Sequence, residues 1–495
     1  MKKISLVSIV ALMLAQSCTK VNENVYDKYA ASDFYSSPTG SDVALAGVYA
    51  KIAGNWDGNG YAGADNGWYD LNSMSSDEQV VPHRNTGDWG IDNAQLYTHV
   101  WLPTHNTINQ AWNWLYRAIF SANLAVEQLT KANAEASKIA EAKVLRAFFY
   151  YLLMDDWGSV PFYTENNITI DQLPQKSRAD VYSFVVQELV ANVDKLSANK
   201  GGQYYGRFNK WAGYALLAKV YLNAQVYTGT AKWAECLTAC NKVSDGGFTL
   251  HPGAANASSP LGYQYFELFG DVCPEDETIL AIYTKLDIVG RNILTIRSLQ
   301  GPHFNALFGS SGWNGTVVHK DYVDRFDNND IRKKQYLSGQ QPGGVNYSTS
   351  ISSLDNPGAN REDGIRDTKF YPVAPINGGG ASNDFPIYRY ADILLMKAEC
   401  NVRLNNAATG KPFIDQVRAR AGLNPLAANP TLDDIYNERG FELTWEGHRR
   451  QDMIRFDKFL LPHDFKAVSG AFRKLFPIPT SALNANKNLV QNPGY

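Results

Sequence analysis

Residues Asn437 to Phe456 read NERGFELTWEGHRRQDMIRF. Phe441, Trp445, His448 and Met453 recur at steps of three to five, with Leu443 and Ile454 beside them. That spacing is close to the period of an amphipathic helix and predicts one continuous helix over the stretch. Glu438, Glu442 and Glu446 stand four apart on a neighbouring face. Glu446 also precedes Arg450 by one turn, the favourable order for a helical ion pair, worth about 0.2–0.5 kcal/mol when exposed. Acids and then arginines beside large aromatics predict a helix that ties other helices together through partly buried ion pairs. A carboxylate pair for acid–base chemistry is the functional alternative. The structural demand already accounts for the arginines, so the stretch is read as scaffold.

Working outward, helical periods dominate the flanks. Ser41 to Ala53 predicts a helix capped by Ser41 or Asp42. Asn106 to Lys131, Glu135 to Asp156, Ala179 to Leu196 and Lys210 to Gln225 follow, and a turn at Tyr227 to Gly229 leads into another helix starting near Lys232. Such helix–turn–helix units resemble a degenerate tetratricopeptide repeat, whose stacked pairs bury a continuous seam. From Gly246 to Asp384 glycines are frequent and short β-prone pieces such as Thr278 to Thr284 replace the helical periods. This predicts a loop-rich insertion packed on the helical layer, within one unit, because no linker sets it off. Helices return at Pro386 to Leu404, Pro412 to Ala421 and Thr431 to Phe456.

The chain has 495 residues, a net charge of −3 and 19% charged residues, so no basic field points to nucleic acid. Its 11 Trp, 28 Tyr and 22 Phe are the informative excess. Many Tyr and Trp must lie partly at the surface, because their polar atoms need partners. At the N-terminus, Lys2 and Lys3 precede an apolar run from Ile4 to Ala15, too short to span a bilayer and suited to a signal-peptide core. Ala15-Gln16-Ser17-Cys18 follows, and the small residue before Cys18 suits a bacterial lipoprotein cleavage site. Several acyl chains on Cys18 would anchor stably. Cys236, Cys240, Cys273 and Cys400 are too scattered for a disulfide framework and read as buried thiols.

Three stretches carry a family resemblance. ERGFELTWEGHRRQDMIRF, FPIYRYADILLMKAECNVRL (Phe385 to Leu404) and FPIPTSALNANKNLVQNPGY (Phe476 to Tyr495) resemble, in order, signatures of the SusD/RagB family of nutrient-capturing surface lipoproteins of Bacteroidetes. The similarity extends in weaker form from about Asp33 onward. It implies a mainly α fold, about four tetratricopeptide-like helix pairs in a right-handed scaffold, with a loop-rich insertion containing a few short strands. The implied division is a signal peptide over 1–17, a lipidated tether over 18–40 and a single SusD-like domain over 41–495. Within that domain, 106–245 and 386–456 form the scaffold, and 54–100 and 246–385 the ligand-binding regions. The resemblance also implies a SusC-like TonB-dependent outer-membrane transporter as partner, a glycan as ligand, an extracellular lipid anchor and no cofactor.

No GxSxG, HExxH, Walker loop or dinucleotide fingerprint is present. Asp155-Asp156 reads as a charged helix end, and Asp324, Asp327 and Asp330 lack the Gly and Glu of a calcium loop. Stacking platforms are the better-founded chemistry. A pyranose lays its C–H face on a flat ring while Asn, Asp, Arg or Gln takes its hydroxyls, in a concave aromatic surface with a few polar groups. Ser75 to Trp89 (SSDEQVVPHRNTGDW) supplies Asp77, Arg84, Asn85 and Asp88 near Trp89. It is similar to the family's Asp-Glu segment and the following loop with its sugar-stacking ring. Gly309 to Gly315 (GSSGWNG) presents Trp313 and Asn314 between small residues, and resembles the Gly-Trp loop of the starch-binding member. Trp68 and Trp56, in or beside the Gly/Asn/Asp-rich stretch 54–67, are further candidates; the other tryptophans are assigned to core packing. Arg291-Asn292 resembles an Arg-Asn pair that precedes a stacking Tyr in the starch-binding member. Here Ile293 follows, which stacks poorly and points to a glycan other than starch. Glycan capture without turnover is the leading reading. Peptide capture, as in RagB-like relatives, and glycoside hydrolysis are the alternatives.

Overall fold

The computed structural model describes residues 31–54, 60–62, 65–83, 89–286, 288–355 and 361–495. Eight helices form four successive pairs: Asn106–Lys131 with Ala136–Trp157, Arg178–Asn192 with Lys210–Leu222, Trp233–Ser244 with Tyr390–Arg403, and Ala407–Arg420 with Leu432–Leu443. The second helix of each pair packs on the first of the next, the tetratricopeptide-like arrangement expected. Ala136–Trp157 is the central element. From Val144 to Trp157 every residue is buried, so this helix has no solvent face and its charged members need partners. Arg146 donates to Glu188 at 2.8 Å, and the Tyr227 hydroxyl donates to Asp155 at 2.7 Å. Gly158, at φ 72°, closes the helix by donating its N–H to the Met154 carbonyl. At the N-terminal end, Pro38–Ala53 begins earlier than expected, because Ser37, not Ser41 or Asp42, caps it by accepting from the Gly40 N–H.

The stretch from Asn437 to Phe456 is not one helix. Leu432–Leu443 stops, the chain turns through Thr444 to His448, and Arg449–Arg455 starts anew. Trp445 at φ 62° and Gly447 at φ 78° make the break. Its cause lies far away in sequence. The break releases the Glu442 and Thr444 carbonyls, which accept from the Lys369 ammonium at 3.1 and 2.6 Å. Glu446 then faces Lys369 at 2.7 Å and Arg389 at 2.7 and 2.8 Å, not Arg450. Arg450 pairs instead with Asp156 at 3.1 Å. The expected Glu446–Arg450 pair is therefore corrected, while the tying role of the stretch is stronger than expected. Glu442 accepts from Arg332 at 3.1 Å, Arg389 at 2.9 Å and Arg420; Glu438 accepts from Arg332 at 2.7 Å. All these acids, and Arg332 and Arg389, are buried. Burial alone would raise the Glu442 pKa, but the surrounding Arg420, Arg389 and Arg332 hold its carboxyl well below the usual range.

The third helix pair is split by the loop-rich insertion. Its first strand, Thr278–Ile282, pairs antiparallel with Phe385–Arg389, Phe385 opposite Ile282 and Arg389 opposite Thr278. The expected helix over Pro386 to Leu404 is thus strand for its first residues, and the helix begins at Tyr390. Pro386 supplies no N–H to a helix, and the register is irregular between Pro386 and Tyr388. Among the described residues four other two-stranded ribbons are short, and Gly301–Phe308 is a helix that periodicity did not announce. Asp330, one of the three acids weighed for calcium, caps the following turn and pairs with Arg332 at 2.7 Å. The four cysteines described are free and buried. The closing stretch straps the scaffold: Phe476 donates its N–H to Asp156 O at 2.8 Å, and Trp101 Nε1 donates to the Tyr495 hydroxyl at 2.7 Å. No helix among the described residues is long and apolar enough to cross a membrane.

Candidate functional site

Trp89 and Trp313, 224 residues apart in sequence, meet in space. Their ring centroids are 6.0 Å apart with planes tilted by 52°, and both are half-buried. Three carbonyls in and just after the one-turn helix Leu294–Arg297 hold the second ring's loop. The Trp313, Asn314 and Gly315 N–H groups donate to Ile296, Leu299 and Arg297 at 2.9, 3.0 and 2.7 Å. The Trp313 indole N–H donates to Gly378 O at 3.0 Å, in the Ile376 to Ala381 ribbon. The Trp89 indole N–H donates to Trp313 O at 3.2 Å. Neither indole N–H is left for a ligand; each ring offers only its apolar surface.

Beneath Trp89 lies Arg297, its guanidinium carbon 4.9 Å from the ring centroid. Arg297 is fully buried and bound to Asp70, with Asp65 at 3.4 Å. Burial pushes the Asp65 pKa up to about 6; Arg297 opposes this and the Asp70 charge adds to it. Gly315 passes so close under Trp89 that a β-carbon there would sit 2.5 Å from ring carbons Cε2 and Cζ2. Arg297, Gly315 and Gly378 are the residues the sequence reading missed. The run Gly378 to Gly380 was a visible signal of a tight loop, but nothing in sequence paired it with Trp313.

The remaining sequence candidates divide. Asn314 adjoins Trp313 but turns inward, at φ 53°, to accept from Arg366 at 2.9 Å. Trp68 is corrected: it is only 4% exposed and lies on Tyr61, ring centroids 4.2 Å apart. Asn292 is corrected as well, being buried with its side-chain oxygen accepting from the Leu294 N–H at 3.0 Å. Asp77 is buried and accepts from Arg449 at 2.6 and 3.0 Å and Arg325 at 2.9 Å. Burial alone would raise its pKa, but the two guanidinium groups hold the carboxyl well below the usual range. Asp77 belongs to a separate cavity of about 330 Å³ lined also by Tyr97, His319 and His463. Asn314 and Asp77 are consumed by partners distant in sequence, Asn292 and Trp68 by near neighbours. Trp56, Arg84, Asn85, Asp88 and Cys18 lie outside the described residues.

The fold places the chain in the class of stacked helix-pair proteins with a loop-rich insertion, and comparisons give its family. A model described as the SusD family matches residues 312–462, and one described as "Starch-binding associating with outer membrane" matches residues 58–222. A SusD-like protein of Formosa agariphila is 25% identical, with 98% of this chain and 99% of that protein covered. The starch-binding protein SusD of Bacteroides thetaiotaomicron is 24% identical over 91% of this chain and 90% of that one. Among solved structures, surface glycan-binding protein A from Bacteroides thetaiotaomicron in complex with laminarihexaose superposes with a TM-score of 0.74 at 21% identity. That superposition covers 91% of this chain and 98% of the other. The chain belongs to the SusD family.

Proposed function

We propose that this protein is a non-catalytic glycan-binding lipoprotein of the outer membrane. The observation that carries the reading is the Trp89–Trp313 corner, two indoles locked by their own N–H groups with their remaining surface available to sugar C–H faces. The names of the relatives support it: starch binding and glycan binding recur among them, and none of those compared is named as an enzyme. In this reading a single SusD-like domain spans 41–495 behind a signal peptide over 1–17 and a tether over 18–40 lipidated at Cys18. It sits on the extracellular face, collects oligosaccharide and passes it to a SusC-like TonB-dependent transporter.

The test is a binding screen across defined polysaccharides with wild type, Trp313→Ala and Trp89→Ala. At least one substitution is expected to lower affinity about ten-fold or more, the scale of one lost stacking contact. No reducing ends are expected from any glycan that binds. Wild-type affinity in both variants removes the site; release of reducing ends removes the non-catalytic reading. Incorporation of a lipid precursor, lost in Cys18→Ala, checks the anchor separately.

A further inference from the structure

We propose that Gly315 is a specificity-determining residue: the missing side chain lets Trp89 lie tilted against Trp313, and that tilt selects glycans whose chain turns sharply between neighbouring sugars. The inference rests on the glycan reading above and adds the shape of the ligand to it.

The position uses smallness. Gly315 is not in the left-handed region, so an alanine meets no backbone objection. What it meets is the indole: a β-carbon would lie 2.5 Å from Cε2 and Cζ2 and 2.8 Å from Nε1 of Trp89. The Gly315 backbone cannot retreat freely, since its N–H is held by Arg297 O at 2.7 Å. The ring would have to move, and it is held too, by its N–H bond to Trp313 O and by the Arg297 guanidinium. Trp313 is fixed in turn by Gly378 O. The 52° between the two planes is therefore a built angle, held by these contacts and permitted by the absence of a side chain at Gly315.

Two platforms 6.0 Å apart are spaced for adjacent sugars, not for sugars several residues apart. In a chain of equatorially 1,4-linked pyranoses, neighbouring rings lie in one ribbon and present parallel faces. Parallel platforms would suit such a ribbon, and these are not parallel. An axial bond at the linkage, or a 1,3 linkage, turns the chain, so neighbouring sugars present faces inclined to each other. A corner of fixed tilt can engage both faces of the turning chain and only one of the ribbon at a time.

The experiment is calorimetric titration of the full mature chain with three probes of equal length: maltohexaose, laminarihexaose and cellohexaose. Wild type is expected to bind at least one of the first two about ten-fold more tightly than cellohexaose, the worth of one stacking contact. Gly315→Ala is expected to lose about that factor and to narrow the preference to within about three-fold. Should Gly315→Ala fold poorly, Trp89→Phe, which removes the N–H tie and shortens the ring, is expected to narrow the preference likewise. Cellohexaose binding as tightly as the others, and abolished by Trp313→Ala, overturns the tilt but leaves the glycan reading standing. Unchanged affinity and preference in both variants overturns the role of Gly315. If only another glycan binds, a flat 1,4-linked ribbon as that ligand overturns the inference. Failure of every glycan in a broad panel overturns the glycan reading, and this inference with it.

Discussion

Trp68 and Trp313 are the same residue in similar Gly-rich sequence, and the structure gives them opposite work. Trp68 is packed on Tyr61 and touches the Gly447 turn, whereas Trp313 is half-exposed with its N–H tied to a loop carbonyl. Truncating a buried aromatic costs its transfer free energy and leaves a cavity, together about 3–5 kcal/mol. Trp68→Ala is therefore expected to lower the urea midpoint strongly at unchanged slope. Trp313→Ala is expected to move stability by less than about 1 kcal/mol, the scale of one net hydrogen bond, and to show its effect in ligand affinity. Chemical denaturation of both variants side by side checks the contrast. A Trp313→Ala variant as unstable as Trp68→Ala would make Trp313 a core residue.

The element that decides the architecture is the break at Thr444 to His448. Gly447 stands at φ 78°, with the Trp68 ring 3.3 Å from where a β-carbon would go, so Gly447→Ala is expected to cost about 1–3 kcal/mol. Arg389→Met is expected to cost about 3–5 kcal/mol, because Glu277, Glu442 and Glu446 stay buried after losing the guanidinium they share. Thermal melts at one pH measure both. Much of the fold was legible here: the helical period, the acid face and the paired-helix order all show in local spacing. The break was not, because the apolar period runs on through Trp445 and His448, and the groups that bend the chain are Lys369 and Arg389. The spacing of Glu446 and Arg450 suits a helical pair that never forms, as each finds a better-buried partner. At the candidate site the same limit holds. Indoles near glycines mark Trp89 and Trp313 as separate platforms, while their contact depends on folding across 224 residues and the Gly378 tie on folding across 65.

Across the whole molecule, the ion pairs that cross from the insertion to the helices make one cooperative unit. Arg332, Lys369 and Arg389 come from the insertion and its closing strand, and Glu438, Glu442 and Glu446 from the last scaffold stretch. Their titration sets the pH profile of stability. Glu442, Asp77, Asp392 and Asp452 are buried, which alone would raise them, but their cations depress them further, so they stabilise above the usual carboxylate range and lose this as pH falls. Buried His448 and half-buried His463 are pushed down to about 3 and about 4, chiefly by burial, and burial also lowers His99, His105, His303 and His319. These six outnumber the acids that burial raises, and they too favour the folded state less as pH falls below about 6.5. The opposite sign belongs to acids raised mainly by burial: Glu78, Asp156 and Asp384 to about 7, and Asp367 to about 8. In the folded state these hold protons that the unfolded chain has already released, so each costs stability as pH rises toward its folded value. Above about 6.5 the histidines no longer titrate in either state, and the four raised acids outweigh Lys466, which burial lowers to about 8 and which acts with the opposite sign as pH nears that value. The melting temperature is therefore expected to be highest near pH 6, to fall by pH 8, and to fall steeply below pH 4 in a single transition. Asp367→Asn keeps an oxygen for the Lys369 N–H, a bond of 2.7 Å in the wild type, and removes the charge. It is expected to raise the melting temperature strongly at pH 8, to raise it much less at pH 5, where the unfolded carboxyl is only about one pH unit past its own titration, and to flatten the alkaline limb. A variant that lowers stability equally at both pH values would mean Asp367 is ionised in the fold, and the alkaline limb would need another source.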